Sequence, residues 1–157
     1  MSKQGSTQTF TRRQVLIAAS GLALAGFVSR VRPAIADAAS TQEAIKKVIG
    51  GKDPKPGRIK LKLPEIAENG NTVPVSFSVD SPMTKKDYVK AVHLFAEANP
   101  RPNVGSFYFS PTSGKATAST RMRLLKTQNI VALAEMNDGS VYMTKTKVKV
   151  TIGGCGG

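Results

Sequence analysis

Cys155 is the only cysteine in a chain of 157 residues, and it stands in the run Gly153-Gly154-Cys155-Gly156-Gly157. A thiol with the ordinary pKa of about 8.5 is partly thiolate at neutral pH and strongly nucleophilic. Four flanking glycines carry no Cβ, so the segment is expected to behave as a flexible tether. The five steps from Val150 to Cys155 let the sulfur stand roughly 16–18 Å off a domain when extended. No side chain in the run can serve as its base. An enzyme needs a nucleophile fixed against a base and oxyanion donors, whereas a carrier needs an exposed thiol that enters another protein's active site. Other chemistries stay open on these residues. The thiol can join two copies of the chain through an intermolecular disulfide, act as its own catalytic nucleophile, or be an accident of a frayed tail. A fourth reading is a terminal Gly-Gly thiocarboxylate of the ubiquitin-like kind, against which the adjacent cysteine and the export signal described below both weigh.

The remaining candidates are weaker. A single cysteine excludes an intramolecular disulfide and Cys-based zinc sites, and a single histidine excludes His-rich metal centres. No cofactor is expected. His93 sits within an apolar run with no Cys, Asp or Glu at ligand spacing in the sequence, and is expected to pack. Lys145, Lys147 and Lys149 alternate along the last strand-like run, just before the glycines. Such a row can steer an anionic adduct or dock acidic partners, but a solvated face that blocks edge pairing is the plainer expectation. Arg121 and Arg123 share the same alternation, for which structural ion pairing is expected rather than anion binding.

The net charge of +13, from 23 Lys+Arg and 10 Asp+Glu, first suggests nucleic acid. Its distribution argues otherwise. Thr11-Arg12-Arg13 opens a short apolar run ending near Val28, followed by Arg30, Arg32 and Ala34-Ile35-Ala36. This is the order of a signal peptide, with an apolar core too short to span a bilayer of ~20 residues. The paired arginines resemble a twin-arginine (Tat) signal, although Val15 and Ile17 depart from that pattern. An ordinary secretory signal with a chance arginine pair is the alternative. Cleavage after Ala36 removes five cations and no acid, leaving 121 residues at a net charge of +8. Residues 1–36 are thus expected to be a Tat-type leader that delivers a periplasmic protein with no membrane anchor and no nucleic-acid partner.

The elements that must position Cys155 read as one helix and then strands. Ser40 and Glu43 have capping-box spacing, with Ser40 as N-cap, ahead of the helical stripe Ala44, Ile45, Val48, Ile49. Gly50-Gly51 ends it, and Pro54 and Pro56 prevent a restart. Residues 37–57 are therefore expected to be a helix and linker. From residue 58 the period changes to two, with strands expected over 58–63, 73–79, 89–96, 104–109, 117–125, 130–136 and 141–152. Glu68-Asn69-Gly70-Asn71 reads as a turn, Pro74 as the mark of an edge or bulged strand, and Asn137-Asp138-Gly139 as a hairpin. The expected fold is all-β: an immunoglobulin-like antiparallel β-sandwich over residues 58–152, with a short N-terminal helix and a flexible Gly-rich arm, residues 153–157.

The run from Val148 to Gly157 closely resembles the C-terminus of the SoxY family, the sulfur carriers of the bacterial thiosulfate-oxidising (Sox) system. Leu63-Pro64-Glu65-Ile66-Ala67-Glu68-Asn69-Gly70, Val73-Pro74-Val75, Asp80-Ser81-Pro82-Met83, Asn99-Pro100-Arg101-Pro102, Thr120-Arg121-Met122-Arg123-Leu124 and Ala132-Leu133-Ala134-Glu135-Met136-Asn137-Asp138-Gly139 are similar to it too. The resemblance implies that Cys155 is the attachment site for covalent sulfur, and that Gly153, Gly154, Gly156 and Gly157 form the swinging arm. It further implies a heterodimer with SoxZ, exported as a folded pair. Thiosulfate would be joined to the carrier by the SoxAX cytochrome and its sulfonate hydrolysed by SoxB, with a sulfane dehydrogenase acting where present. The carrier itself would be no enzyme.

Overall fold

The computed structural model describes residues 38–152. The leader, its cleavage site and the whole of residues 153–157, Cys155 included, lie outside the described residues. In chain order the elements are α1 (Ala38–Ile49), β1 (Ile59–Lys62), β2 (Ile66–Asn69), β3 (Val73–Val79), β4 (Val89–Ala96), β5 (Asn103–Tyr108), a 3-10 turn (Pro111–Ser113), β6 (Ala116–Met122), β7 (Gln128–Met136) and β8 (Val141–Ile152). They form a three-stranded sheet, β1-β3-β6, and a five-stranded sheet, β2-β8-β7-β4-β5. Among the described residues no helix is long and apolar enough to cross a membrane.

Alternation accounts for the layering. Val73, Val75, Phe77 and Val79 of β3 face Val92, Leu94 and Ala96 of β4 and Ile130, Ala132, Ala134 and Met136 of β7 across one shared core. Phe77 meets Phe107 edge to face at 5.1 Å and Phe109 at 6.3 Å, arrangements that favour opposed ring quadrupoles. β4 and β7 are buried on both faces, because their outward residues Phe95, Val131 and Leu133 lie under α1 together with Val141 of β8. Ile45 anchors the helix there, and the fully buried Thr41 donates its hydroxyl to the Glu97 carbonyl at 3.3 Å. Gly50, at φ +59°, ends the helix by donating to the Lys46 carbonyl, a left-handed C-terminal cap.

Four sequence expectations need correction. There are eight strands among the described residues, the added one being β2, whose last two residues, Glu68 and Asn69, fall in the expected turn. β2 pairs with β8 in parallel, so the five-stranded sheet is mixed rather than antiparallel. Pro74 lies in β3, the central strand of its sheet; β1 runs out at Lys62↔Ser76, so the proline sits where one neighbour has already left. The helix starts at Ala38, which places Ser40 inside its first turn rather than at the N-cap.

His93 also differs from simple packing. On the outward face of β4 it is buried, with Nδ1 2.8 Å from Ser106 Oγ and Nε2 3.1 Å from Glu135 Oε1. The β4–β5 register sets His93 opposite Ser106, and Glu135 comes from β7. Both ring nitrogens are satisfied, which is what makes a buried imidazole tolerable.

The hairpin expected at Asn137-Asp138-Gly139 joins β7 to β8. Gly139 N–H donates to the Met136 carbonyl at 3.1 Å and Met136 N–H to the Ser140 carbonyl at 2.9 Å, with Gly139 at φ +82°. This is a three-residue loop whose last position needs a left-handed backbone. Asn137 faces away from the turn: it accepts from Tyr88 N–H and donates to the Lys86 carbonyl, clasping the start of β4. Asp138 accepts from Ser140 N–H at 2.8 Å and Oγ at 2.7 Å, and the Ser140 bonds hold its carboxyl below the usual carboxylate range.

Two outcomes are expected. Leu124→Ala, at a fully buried core position, should lower the unfolding free energy by about 2–5 kcal/mol in urea titration. Because the folded-state pKa of Asp138 is depressed, its contribution is complete above the unfolded value of about 3.9 and is lost as pH falls through the folded value. The stabilities of wild type and Asp138→Asn should therefore differ at neutral pH and converge at low pH.

Candidate functional site: the root of the C-terminal segment

β8 is the strand from which the Gly-Cys segment continues. Its ladder with β7 runs from Glu135↔Val141 to Gln128↔Val148 and then stops. Residues 149–152 are held by other means. β2 pairs with them in parallel at Ile66↔Lys149, Ala67↔Val150 and Asn69↔Ile152. Lys149 N–H donates to the Glu65 carbonyl and Gly70 N–H to the Ile152 carbonyl, both at 2.9 Å. On the opposite side Val150 N–H donates to Thr127 Oγ1 at 2.9 Å, so a hydroxyl replaces the missing strand. The Thr151 hydroxyl donates to the Glu68 carbonyl at 3.1 Å. Ala67 points into the shared core, tying the short β2 to the body of the domain.

This arrangement holds Ile152, the last described residue, in the sheet three residues before Cys155. Ile152 and Ile66 are both exposed. The geometry brings to one end of the domain the strand end, its parallel brace and the turn at Gly70 that leads into β3. Among the described residues no group of three His, Cys, Asp or Glu side chains could hold a metal.

Lys145, Lys147 and Lys149 do share one exposed face of β8, as their spacing implied. They are not equivalent. Lys145 Nζ lies 2.6 Å from Glu97 Oε1, while Glu97 Oε2 accepts from Asn129 at 2.7 Å. Lys147 and Lys149 have no such pair among the described residues. β8 has no strand partner between Met143 and Lys149 on the side away from β7, which suits the edge-blocking role. Arg121 and Arg123 depart from expectation. Arg123 falls beyond the end of β6, and neither guanidinium forms an ion pair among the described residues.

Sequence reasoning missed β2 and Thr127, the two elements that hold the strand end. β2 offers one buried residue in four, too few to show a period, and the role of Thr127 exists only through the fold.

Residues 45–155 match the family model described as "Sulfur oxidation protein SoxY". No curated protein matches the chain by sequence. Among solved structures, the sulfur carrier protein SoxY from Chlorobium limicola f thiosulfatophilum is similar at 35% identity and a TM-score of 0.63, covering 74% of this chain and 100% of that one. Superoxide reductase (neelaredoxin) from Ignicoccus hospitalis is similar at 19% identity and a TM-score of 0.53, over 60% of this chain and 80% of that one. The hypothetical protein PH1083 from Pyrococcus horikoshii OT3 is similar at 16% identity and a TM-score of 0.51, over 61% and 96%. These last two likenesses show the fold alone. The family match spans most of the chain and runs through Cys155 itself, and the chain belongs to the SoxY family.

Proposed function

We propose that this protein is a covalent carrier of sulfur intermediates in periplasmic thiosulfate oxidation, with Cys155 as the attachment site. The observation that carries the reading is a SoxY-family chain whose single cysteine follows a strand end braced by β2 and Thr127. In this reading the two sheets form an immunoglobulin-like sandwich, residues 58–152. Residues 37–57 supply the helix and linker, residues 153–157 the swinging arm, and residues 1–36 a Tat leader cleaved after Ala36.

The chemistry balances around the cysteine. The thiolate and thiosulfate join as Cys–S–S–SO3⁻ with loss of two electrons, which the SoxAX cytochrome would accept. Water then attacks the terminal sulfonate in SoxB, giving sulfate, two protons and a Cys–S–S⁻ persulfide. Where the host has one, a sulfane dehydrogenase would oxidise the remaining persulfide sulfur in place to Cys–S–SO3⁻, accepting six electrons while three waters supply the oxygens and six protons leave. SoxZ is the proposed stable partner. The carrier supplies no base or oxyanion site. Its contribution is to present a tethered substrate, raising its effective concentration at each partner's active site.

Intact mass measurement of the periplasmic protein should show sulfur-containing adducts in the presence of thiosulfate, all lost in Cys155→Ser. An unmodified thiol during active thiosulfate oxidation would overturn the reading. The alternative, a dimer stapled through Cys155, requires that Cys155→Ser abolish dimerisation yet leave sulfur oxidation intact.

A further inference from the structure

Ser106, His93 and Glu135 bring a hydroxyl, an imidazole and a carboxylate together on the outward face of the five-stranded sheet. The polarity of their hydrogen bonds follows from what each group can donate. An ionised carboxylate only accepts, so His93 Nε2 carries the proton directed at Glu135 Oε1, 3.1 Å away. A neutral imidazole has one N–H, so Nδ1 accepts and the Ser106 hydroxyl donates to it across 2.8 Å. Hydroxyl to imidazole to carboxylate is the order that activates a serine nucleophile. The ring is held between Phe95, stacked at 6.5 Å, and Tyr108, edge-on at 6.3 Å. His93 is buried while Ser106 is partly exposed, so the base is screened from water and the hydroxyl is within reach of it. The backbone adds a donor. β5 is the end strand of its sheet, and Phe109 N–H donates to the Lys90 carbonyl at 2.9 Å. By the alternation of an antiparallel ladder, Phe107 and Gly105 also face β4. Ser106 lies between them, so its N–H points to the open edge, where it has no partner among the described residues.

We infer that Ser106 is a second reactive site of this chain, a nucleophile that accepts small acyl groups from activated esters. His93 is its base and Glu135 the positioning residue. The inference stands apart from the carrier reading, and Cys155 takes no part in it. Ser106 Oγ forms a bond to the acyl carbon as its proton passes to His93 Nδ1. The Ser106 N–H donates to the oxyanion that develops, and Glu135 stabilises the imidazolium. The intermediate then collapses, the bond from the acyl carbon to the leaving oxygen breaks, and His93 returns the proton to that oxygen. The acyl group remains on Ser106, the alcohol departs, and nothing is oxidised or reduced. The surroundings set the ligand class. The hydroxyl stands at an open sheet edge beside the exposed Tyr108 ring, which offers an apolar face to a short acyl or aromatic group.

The test uses the full mature chain carrying Cys155→Ser, which removes the competing thiol. A fluorophosphonate probe transfers one phosphonyl group as the serine oxygen displaces fluoride and the proton passes to His93. Peptide mapping should place that group on Ser106, at least about a hundredfold faster than on Ser119, an exposed β6 hydroxyl in a chain whose single histidine is already bonded to Ser106. p-Nitrophenyl acetate should release one equivalent of phenolate in a burst and leave an acetyl group on Ser106. Both reactions should be lost in Ser106→Ala. In Glu135→Gln, whose amide oxygen still accepts from Nε2, they should slow about tenfold with an unchanged unfolding midpoint, the effect of exchanging a charged acceptor for a neutral one. Nitrogen spectra of the unmodified imidazole should show the Nε2–H tautomer. The Nδ1–H tautomer would overturn the inference, because Ser106 would then accept rather than donate. Comparable labelling of Ser106 and Ser119, labelling of Tyr108 alone, or no label from either reagent would overturn it as well. Equal rates in wild type and Glu135→Gln would remove the carboxylate from its assigned role.

Discussion

The parallel ladder between β2 and residues 149–152 holds the strand end that precedes Cys155 in the sequence. The β7 ladder ends at Val148, and a strand end beyond its last partner would fray. β2 supplies backbone partners on one side and Thr127 a hydroxyl on the other, so residues 149–152 keep partners after the β7 ladder stops. β2 can do this because Ala67 is seated in the core. A parallel brace needs its strand delivered from the far end, and the crossover through Leu63 and Pro64 delivers it. That same crossover takes β1 out of its sheet after Lys62↔Ser76, so the brace of one sheet and the short edge of the other are two results of one change of sheet.

The double burial of β4 and β7 supports this arrangement from behind. With α1 over one face and the shared core under the other, these strands form a stiff centre against which β8 is registered over eight residue pairs. Polar contacts are concentrated at the ends of this slab. Gln128 bonds Asn99, the Ala98 amide and the Lys126 carbonyl, and Asn99 bonds the Arg123 carbonyl. These tie the loop after β4 to the segment that carries Thr127, so the hydroxyl that braces Val150 is itself held in place.

The strands with clear period-two alternation were legible in the sequence, as was the hairpin at Gly139, because burial on one face and a required backbone conformation both leave marks on residue type. The C-terminal cysteine stands out in the sequence for the opposite reason, that its neighbours are all glycine, and it lies outside the described residues. β2 was not, since Ile66, Glu68 and Asn69 face solvent and only Ala67 is buried. His93 read as packing because Ser106 and Glu135 lie 13 and 42 residues away in sequence and meet it only through sheet register. Pro74 pointed to an edge strand, and the structure reconciles this locally: a strand can be central along most of its length and edge-like at one end. Arg121 and Arg123 read as a pair because alternation was carried past the true end of β6 at Met122.

The direction of β2 has a mechanical side. Because β2 and the end of β8 run the same way, a pull along the tail loads their ladder lengthwise, in shear, and the slanted bonds of a parallel pair share that load. An antiparallel hairpin pulled from its open end would instead unzip, its bonds breaking in succession. Tension applied to β8 at Ile152 would therefore meet the whole parallel ladder at once rather than one bond at a time.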